Sequence, residues 1–303
     1  MYEQISSNKR RSVLLVLGFV VLVVLVVMAV DLLLGFGVVG LFVAFAIAGT
    51  GSALSYWKSD AVALRMSHAM PADPTTYARL HNLIEGLCIA AGLPKPRVYV
   101  IDDPAPNAFA TGRSPKHAAV AVTTGLLEKL NRVELEGVLA HELSHVKNYD
   151  ILVSTLAVTL VGVVVLLADF SLRFMWWGGP RRRGGNRQGG GGPGAILAVL
   201  GLVLLLVAPL VARVMQFAVS RRRETLADVS GVALTRYPPG LISALEKLKA
   251  DTTVVHSSSR ATAHLWVESP LARTPDEGRL SRLNRLFDTH PPLEERILAL
   301  KEL

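Results

Sequence analysis

Four apolar runs of about bilayer-crossing length constrain this chain more than any other feature. They cover Val13 to Val30, Leu32 to about Trp57, Ile151 to Ala168 and Ala195 to Val211. A spanning helix needs roughly 20 consecutive apolar residues, and runs of this kind leave little choice but helices in lipid. The chain is 51% hydrophobic and only 18% charged, with a mean hydropathy of +0.40. Such a balance is too apolar for an ordinary soluble protein. The expected fold class is therefore a mainly α integral membrane protein with about four transmembrane helices. The first run is too long for the core of a cleavable leader, so it reads as an uncleaved span. Glycines at 35, 37, 40, 49 and 51 allow close packing in the second run, and Trp57 and Lys58 suit an interfacial end. Pro209 is a kink site in the fourth.

The net charge of +8 follows the same logic. Lys9, Arg10 and Arg11 precede the first run. Arg173, Arg181, Arg182, Arg183 and Arg187 lie between the third and fourth. Arg213, Arg221, Arg222 and Arg223 border or follow the last. Basic residues at the ends of apolar spans anchor and orient them. No nucleic-acid module is present, so the lipid bilayer is the expected partner and nucleic acid is not. Four spans behind a basic N-terminus put both termini inside. The arginines of the Arg/Gly-rich loop 173–194 then lie outside, against the positive-inside rule. Either the N-terminal bias prevails, or runs three and four form a hairpin that does not fully cross.

The stretches outside the runs read as a folded domain. Asp73 and Pro74 suit an N-cap and first helical position, and apolar residues then recur at helical spacing from Tyr77 to Ala91. Cys88, the single cysteine, lies on that apolar face and reads as a core residue. Arg97 to Ile101 and Ala118 to Thr123 are Val-rich strands, with a loop or short strand over 107–113 between them. Leu126 to Leu130 form a short helix, and Asn131 with Glu134 mark a capping box that starts the next one at Arg132.

That next helix carries His141-Glu142-Leu143-Ser144-His145. Residues four apart share a helical face, so both imidazoles can meet one metal ion. Glu142 can reach a water there, which is the arrangement of a zinc hydrolase with a Glu general base. The apolar run from Ile151 follows so closely that the motif helix is expected to run straight into a span. A catalytic zinc needs a third protein ligand, and a ligating His needs a carboxylate behind it. Glu224 and Asp228, four apart after the fourth run, fit those two roles. The bland alternative is a solvated helix start with acidic residues in its first turn. His68, His81, His117, His256 and His264 stand alone and receive no role.

The whole set resembles the M48 metallopeptidases: His141-Glu142-x-x-His145, Glu224-x-x-x-Asp228, Asn107 to Gly112 upstream and Thr289-His290-Pro291-Pro292 downstream. The paired N-terminal runs and the length are similar to the HtpX-type membrane proteases within that family. The resemblance implies an α+β gluzincin-like zinc protease domain with a small β-sheet, and one Zn2+ per chain. It makes His141, His145 and Glu224 the zinc ligands, Glu142 the base and Asp228 the partner of a ligating imidazole. It makes Asn107, Ala108, Phe109, Ala110 and Thr111 an edge strand beside the substrate backbone, and His290 and Arg296 candidate oxyanion stabilisers. It also implies a multi-pass protein of the bacterial inner membrane whose active site faces the cytoplasm. That enzyme would cleave damaged or misfolded membrane proteins, beside other membrane quality-control proteases.

The expected organisation is two N-terminal spans over 1–60, the first part of the protease domain over 61–150, a membrane hairpin over 151–215, and the second part over 216–303. Other zinc proteases fit worse. A metzincin needs Gly and His where Asn148 and Ile151 stand. Two rival functions remain open: a prenyl-protein protease of the same clan, and a non-catalytic membrane scaffold that keeps zinc for stability.

Overall fold

The computed structural model describes residues 6–8, 10–18, 20–21, 24, 38–156, 221–253, 255, 265–267 and 292–303. Run four, the Arg/Gly-rich loop 173–194 and His290 lie outside the described residues, as do most of run three and part of run one. Among the described residues, no helix is both long enough and apolar enough to cross a membrane. The described part of the second run lies in helix α1 (Val38–Met66), which continues past the expected end at Trp57, and residues 32–37 of that run lie outside the described residues.

Alternation at period two builds the centre of the fold. Strands β1 (Met70–Pro71), β2 (Arg97–Ile101), β3 (Ala108–Gly112) and β4 (Ala118–Thr123) form one sheet in the order β1-β2-β4-β3. β2 and β4 are parallel, and β3 pairs antiparallel with β4, with Phe109 opposite Ala121. Every residue of β3 and β4 is buried, so both faces are covered. Val98, Val100, Ala108, Ala110, Val120 and Val122 join one core cluster with the apolar face of α2 (Ala78–Ala91) and with Leu135, Leu139 and Leu143. Phe109, Ala119 and Ala121 face the other way, against Ala63 and Leu64 of α1 and the fully buried Trp266. Cys88 sits in the first cluster, where burial pushes its thiol up to about 11. It is an inert core residue at neutral pH.

After β4, Thr123 caps the short helix α3 (Thr124–Lys129) by accepting from the Leu126 amide. The capping box at Asn131 is present in full. Its side chain accepts from the Val133 and Glu134 amides, and the Glu134 carboxylate accepts from the Asn131 amide at 2.8 Å. Helix α4 (Arg132–Lys147) follows. α5 (Arg221–Thr235), α6 (Pro238–Ala250) and α7 (Leu293–Lys301) complete the described helices that pack beside it.

Two local expectations need correction. The helix after Asp73 starts at Ala78, because the Asp73 carboxylate folds the chain into a turn instead. It accepts from the Thr75 hydroxyl and from the Thr76 amide and hydroxyl, which together pull its pKa down to about 2. The motif helix does not run straight into the third apolar run. It ends at Lys147, Asn148 caps it, and Tyr149 turns left-handed at φ +60° before residues 150–156 resume a helix. Pro238 and Pro239 open α6, since a missing amide costs nothing in a first turn. Arg296 lies inside α7.

Close approach fixes α4 against its neighbours. A Cβ at Gly231 of α5 would stand 3.0 Å from the His141 nitrogen, and one at Gly137 would stand 2.8 Å from the Leu241 nitrogen of α6. Both helices therefore rest on the backbone of α4 itself. The contact at Gly231 sits at the motif, and so sets how near Glu224 and Asp228 come to the histidines.

Candidate metal centre

His141 and His145 occupy successive turns of α4, with ring centroids 4.8 Å apart and planes nearly perpendicular. Their Nε2 atoms are 3.2 Å apart. Glu224, in the first turn of α5, brings Oε2 to 3.6 Å from His141 Nε2 and Oε1 to 3.6 Å from His145 Nε2. Zinc bonds of about 2.0–2.2 Å in a tetrahedron separate donors by about 3.3–3.6 Å. Two imidazole nitrogens and a carboxylate at these spacings fit that ion. His141, His145 and Glu224 are the one group of potential ligands of this kind among the described residues. His141 and Glu224 are buried, and His145 is partly exposed.

Each imidazole is held from behind. His141 Nδ1 lies 2.8 Å from Asp228 Oδ1. His145 Nδ1 lies 3.0 Å from Asp150 Oδ2. Each carboxylate accepts the Nδ1 proton and so leaves Nε2 as the donor to a metal. Asp228 is gripped by Arg296, whose Nε and Nη2 donate to its two oxygens at 2.9 and 2.7 Å. Nη1 of the same guanidinium reaches the Val267 carbonyl at 3.3 Å.

Asp150 has no counterpart in the sequence reading. Five residues on from His145, it falls on a different face of a continuous helix. Only the left-handed turn at Tyr149 swings it back. The available signal was the acidic residue between the motif and the apolar run, which without the turn looks like an interfacial charge.

The electrostatics favour a cation here. Burial and the Arg296 charge work to lower the His141 pKa, but Asp228 and Glu224 outweigh them and raise it to about 9. Burial likewise disfavours protonated His145, and Glu224 and Asp150 reverse the balance upward. The Asp228 carboxyl is pushed up by burial and held below its usual range by Arg296 and His141. A dication between the imidazoles and Glu224 satisfies the same field.

Glu142 faces the sheet. Its carboxyl is buried, which raises its pKa, while both histidines and the Ala110 amide pull the other way. The Ala110 amide of edge strand β3 thus faces the Glu142 carboxyl. Along that outer edge, the Ala108 carbonyl accepts from the Val267 amide at 3.0 Å, and the Gly112 amide donates to Thr155 Oγ1 at 3.2 Å. Asn107 turns its side chain inward, where Oδ1 accepts from the Ala108 amide at 3.0 Å. Phe109 packs edge-on against Trp266 at 4.9 Å, and Thr111 is fully buried with its hydroxyl 3.1 Å from that of Thr155.

Two imidazoles, a carboxylate and an adjoining buried Glu beside an edge strand define the class of metal-dependent peptidases. The model of peptidase family M48 matches residues 74–303, which include all of these groups. The chain belongs to that family and is a metalloprotease. Similar proteins described as "Protease HtpX homolog" come from Caldanaerobacter subterraneus subsp. tengcongensis, Limosilactobacillus reuteri and Listeria monocytogenes. The first is 43% identical over 100% of this chain and 98% of its own length. The second is 42% identical and the third 41%, each over 100% of both chains. Among solved structures, Ste24p of S. mikatae is 18% identical with a TM-score of 0.48, covering 99% of this chain and 67% of its own, too distant a likeness to bear on fold or chemistry.

Proposed function

We propose that this protein is a membrane-bound, zinc-dependent endopeptidase that cleaves damaged or misfolded membrane proteins at the cytoplasmic face of a bacterial inner membrane. The observation that carries the chemistry is the donor set: two Nε2 atoms and Glu224 at zinc spacing, each imidazole backed by its own carboxylate. The membrane setting rests on the four apolar runs and their basic flanks. On this reading 151–215 is a membrane hairpin that separates two parts of one protease domain.

His141, His145 and Glu224 would hold one zinc per chain, which would supply a Lewis acid able to make water nucleophilic near neutral pH and to polarise a scissile carbonyl. Glu142 takes a proton from the attacking water as the new C–O bond forms. It passes that proton to the amide nitrogen as the C–N bond breaks, so acid and amine leave together. The Ala110 amide keeps its carboxylate aimed at the imidazoles. Asp228 and Asp150 keep both Nε2 lone pairs available. Arg296 acts first through Asp228, which it holds with two N–H donors while a third reaches the Val267 carbonyl; the two N–H groups left on its Nη atoms keep it a candidate for the oxyanion. His290 is the other candidate for the oxyanion. The segment Asn107 to Thr111 takes the substrate main chain by strand addition, and the carbonyl of Ala110 beside Glu142 is the group we assign to that pairing.

Metal removal tests the proposal. Purified protein in proteoliposomes with a destabilised membrane protein is expected to cleave it. Treatment with 1,10-phenanthroline is expected to stop cleavage, and added zinc to restore it. Cleavage that persists through chelation contradicts the zinc mechanism. Cleavage confined to a prenylated peptide supports the prenyl-protein alternative, and zinc binding without any cleavage supports a scaffold.

A further inference from the structure

The N-terminal segment reaches the metal centre. Residues 6–8 and 10–18 are helical, and Asn8 is 3% exposed within them. Asn8 Nδ2 donates to the Asn148 carbonyl at 2.8 Å and to Asp150 Oδ1 at 2.7 Å. Both partners are acceptors, so the amide must present its NH2 to them, and its two hydrogens serve both. Ser12, also buried, donates to the Asn8 carbonyl at 2.9 Å and fastens the helix one turn on.

Asp150 is the carboxylate that accepts from His145 Nδ1 through its other oxygen. A carboxylate with one oxygen on an imidazole still swings about its own axis unless the second is held. Among the described residues, the other partner near Asp150 Oδ1 is Arg223 Nη1 at 3.9 Å, beyond hydrogen-bond reach. Asn148 caps the motif helix, and Asn8 ties that cap to Asp150 across the break at Tyr149. One amide thus fixes both the end of the helix bearing the histidines and the residue that orients the second of them.

We infer that Asn8 is a positioning residue for the metal centre: it clamps Asp150 and the Asn148 carbonyl, and through Asp150 it sets the His145 imidazole toward the metal position. The N-terminal segment, outside the family match at 74–303, thereby completes the coordination of a metal bound within that match. The inference rests on the reading of His141, His145 and Glu224 as ligands. Its chemical content is specific to donors: the neighbours of position 8 accept, so an apolar or shorter side chain there leaves Asp150 loose.

The experiment uses full-length protein in detergent, loaded with Co2+ or Zn2+, and compares wild type, Asn8→Leu, Asp150→Asn and the double variant. Two readouts are taken: the visible d–d bands of the Co2+ form, and the rate of metal release to an excess chelator. Outer partners of metal ligands are typically worth about 10–100-fold in affinity. Asn8→Leu is expected to release metal about tenfold faster and to shift the cobalt bands, and to add little on the Asp150→Asn background. Asn8→Ser, smaller and still polar, is expected to do the same if the leucine variant does not fold. Unchanged bands and release, or an effect fully additive with Asp150→Asn, overturn the inference. Wild-type protein that takes up neither metal overturns the ligand reading instead.

Discussion

Replacing Glu142 with glutamine is expected to leave the protein folded and its zinc content unchanged while peptide cleavage falls by about 10²–10⁴-fold, the usual worth of a positioned general acid–base group. The two side chains have the same shape. The glutamine carbonyl can still face the Ala110 amide of β3. What the change removes is the capacity to take a proton, in a buried position where bulk water is a poor substitute. The loss should appear in kcat more than in KM, because no substrate contact is deleted. Parallel zinc analysis and casein cleavage of the two proteins check this. Cleavage at the wild-type rate is the outcome the mechanism does not survive.

Glu224→Ala acts one step earlier. Two imidazoles remain, backed by Asp228 and Asp150 and adjoined by Glu142, but no carboxylate is left among the described residues within 4 Å of both Nε2 atoms. Zinc affinity is expected to fall by more than about 100-fold, beyond the usual effect of an outer partner. Activity should vanish with it. Glu224 is also the nearest described acidic group to both Nε2 atoms, so its loss leaves them facing each other at 3.2 Å without a shared anion. Because metal that binds only the folded state stabilises it by mass action, added zinc should raise the melting temperature of the wild type and not of the variant. Equal zinc content in the two proteins after exhaustive dialysis against a chelator removes Glu224 from the ligand set.

Local chemistry made much of this architecture legible from sequence. β2 and β4 fall where Val-rich alternation puts them. The Asn131–Glu134 pair marks the start of the motif helix because a capping box needs only residues three apart. His141 with His145, and Glu224 with Asp228, share faces for the same reason of helical spacing. The misses share a cause as well: each depends on a backbone reversal or a distant partner. Asp73 looked like a cap, but Thr75 and Thr76 give its carboxylate a competing turn. Asp150 became a partner of His145 only through the φ of Tyr149, which no periodicity encodes. Asn8 lies 142 residues before Asp150, and nothing in its local sequence separates it from any polar residue at the edge of an apolar run. The bidentate grip of Arg296 on Asp228 is a further long-range contact, across 68 residues, that no local pattern encodes.

The account stands on one coordination set, and zinc K-edge X-ray absorption on the purified wild type addresses it without recourse to activity. The expected spectrum has two imidazole nitrogens and carboxylate or water oxygens at about 2.0–2.2 Å, with no sulfur shell. Glu224→Ala is expected to lose that zinc. A sulfur shell near about 2.3 Å, which would draw in Cys88, or a spectrum with no imidazole scattering, contradicts a centre built from His141, His145 and Glu224.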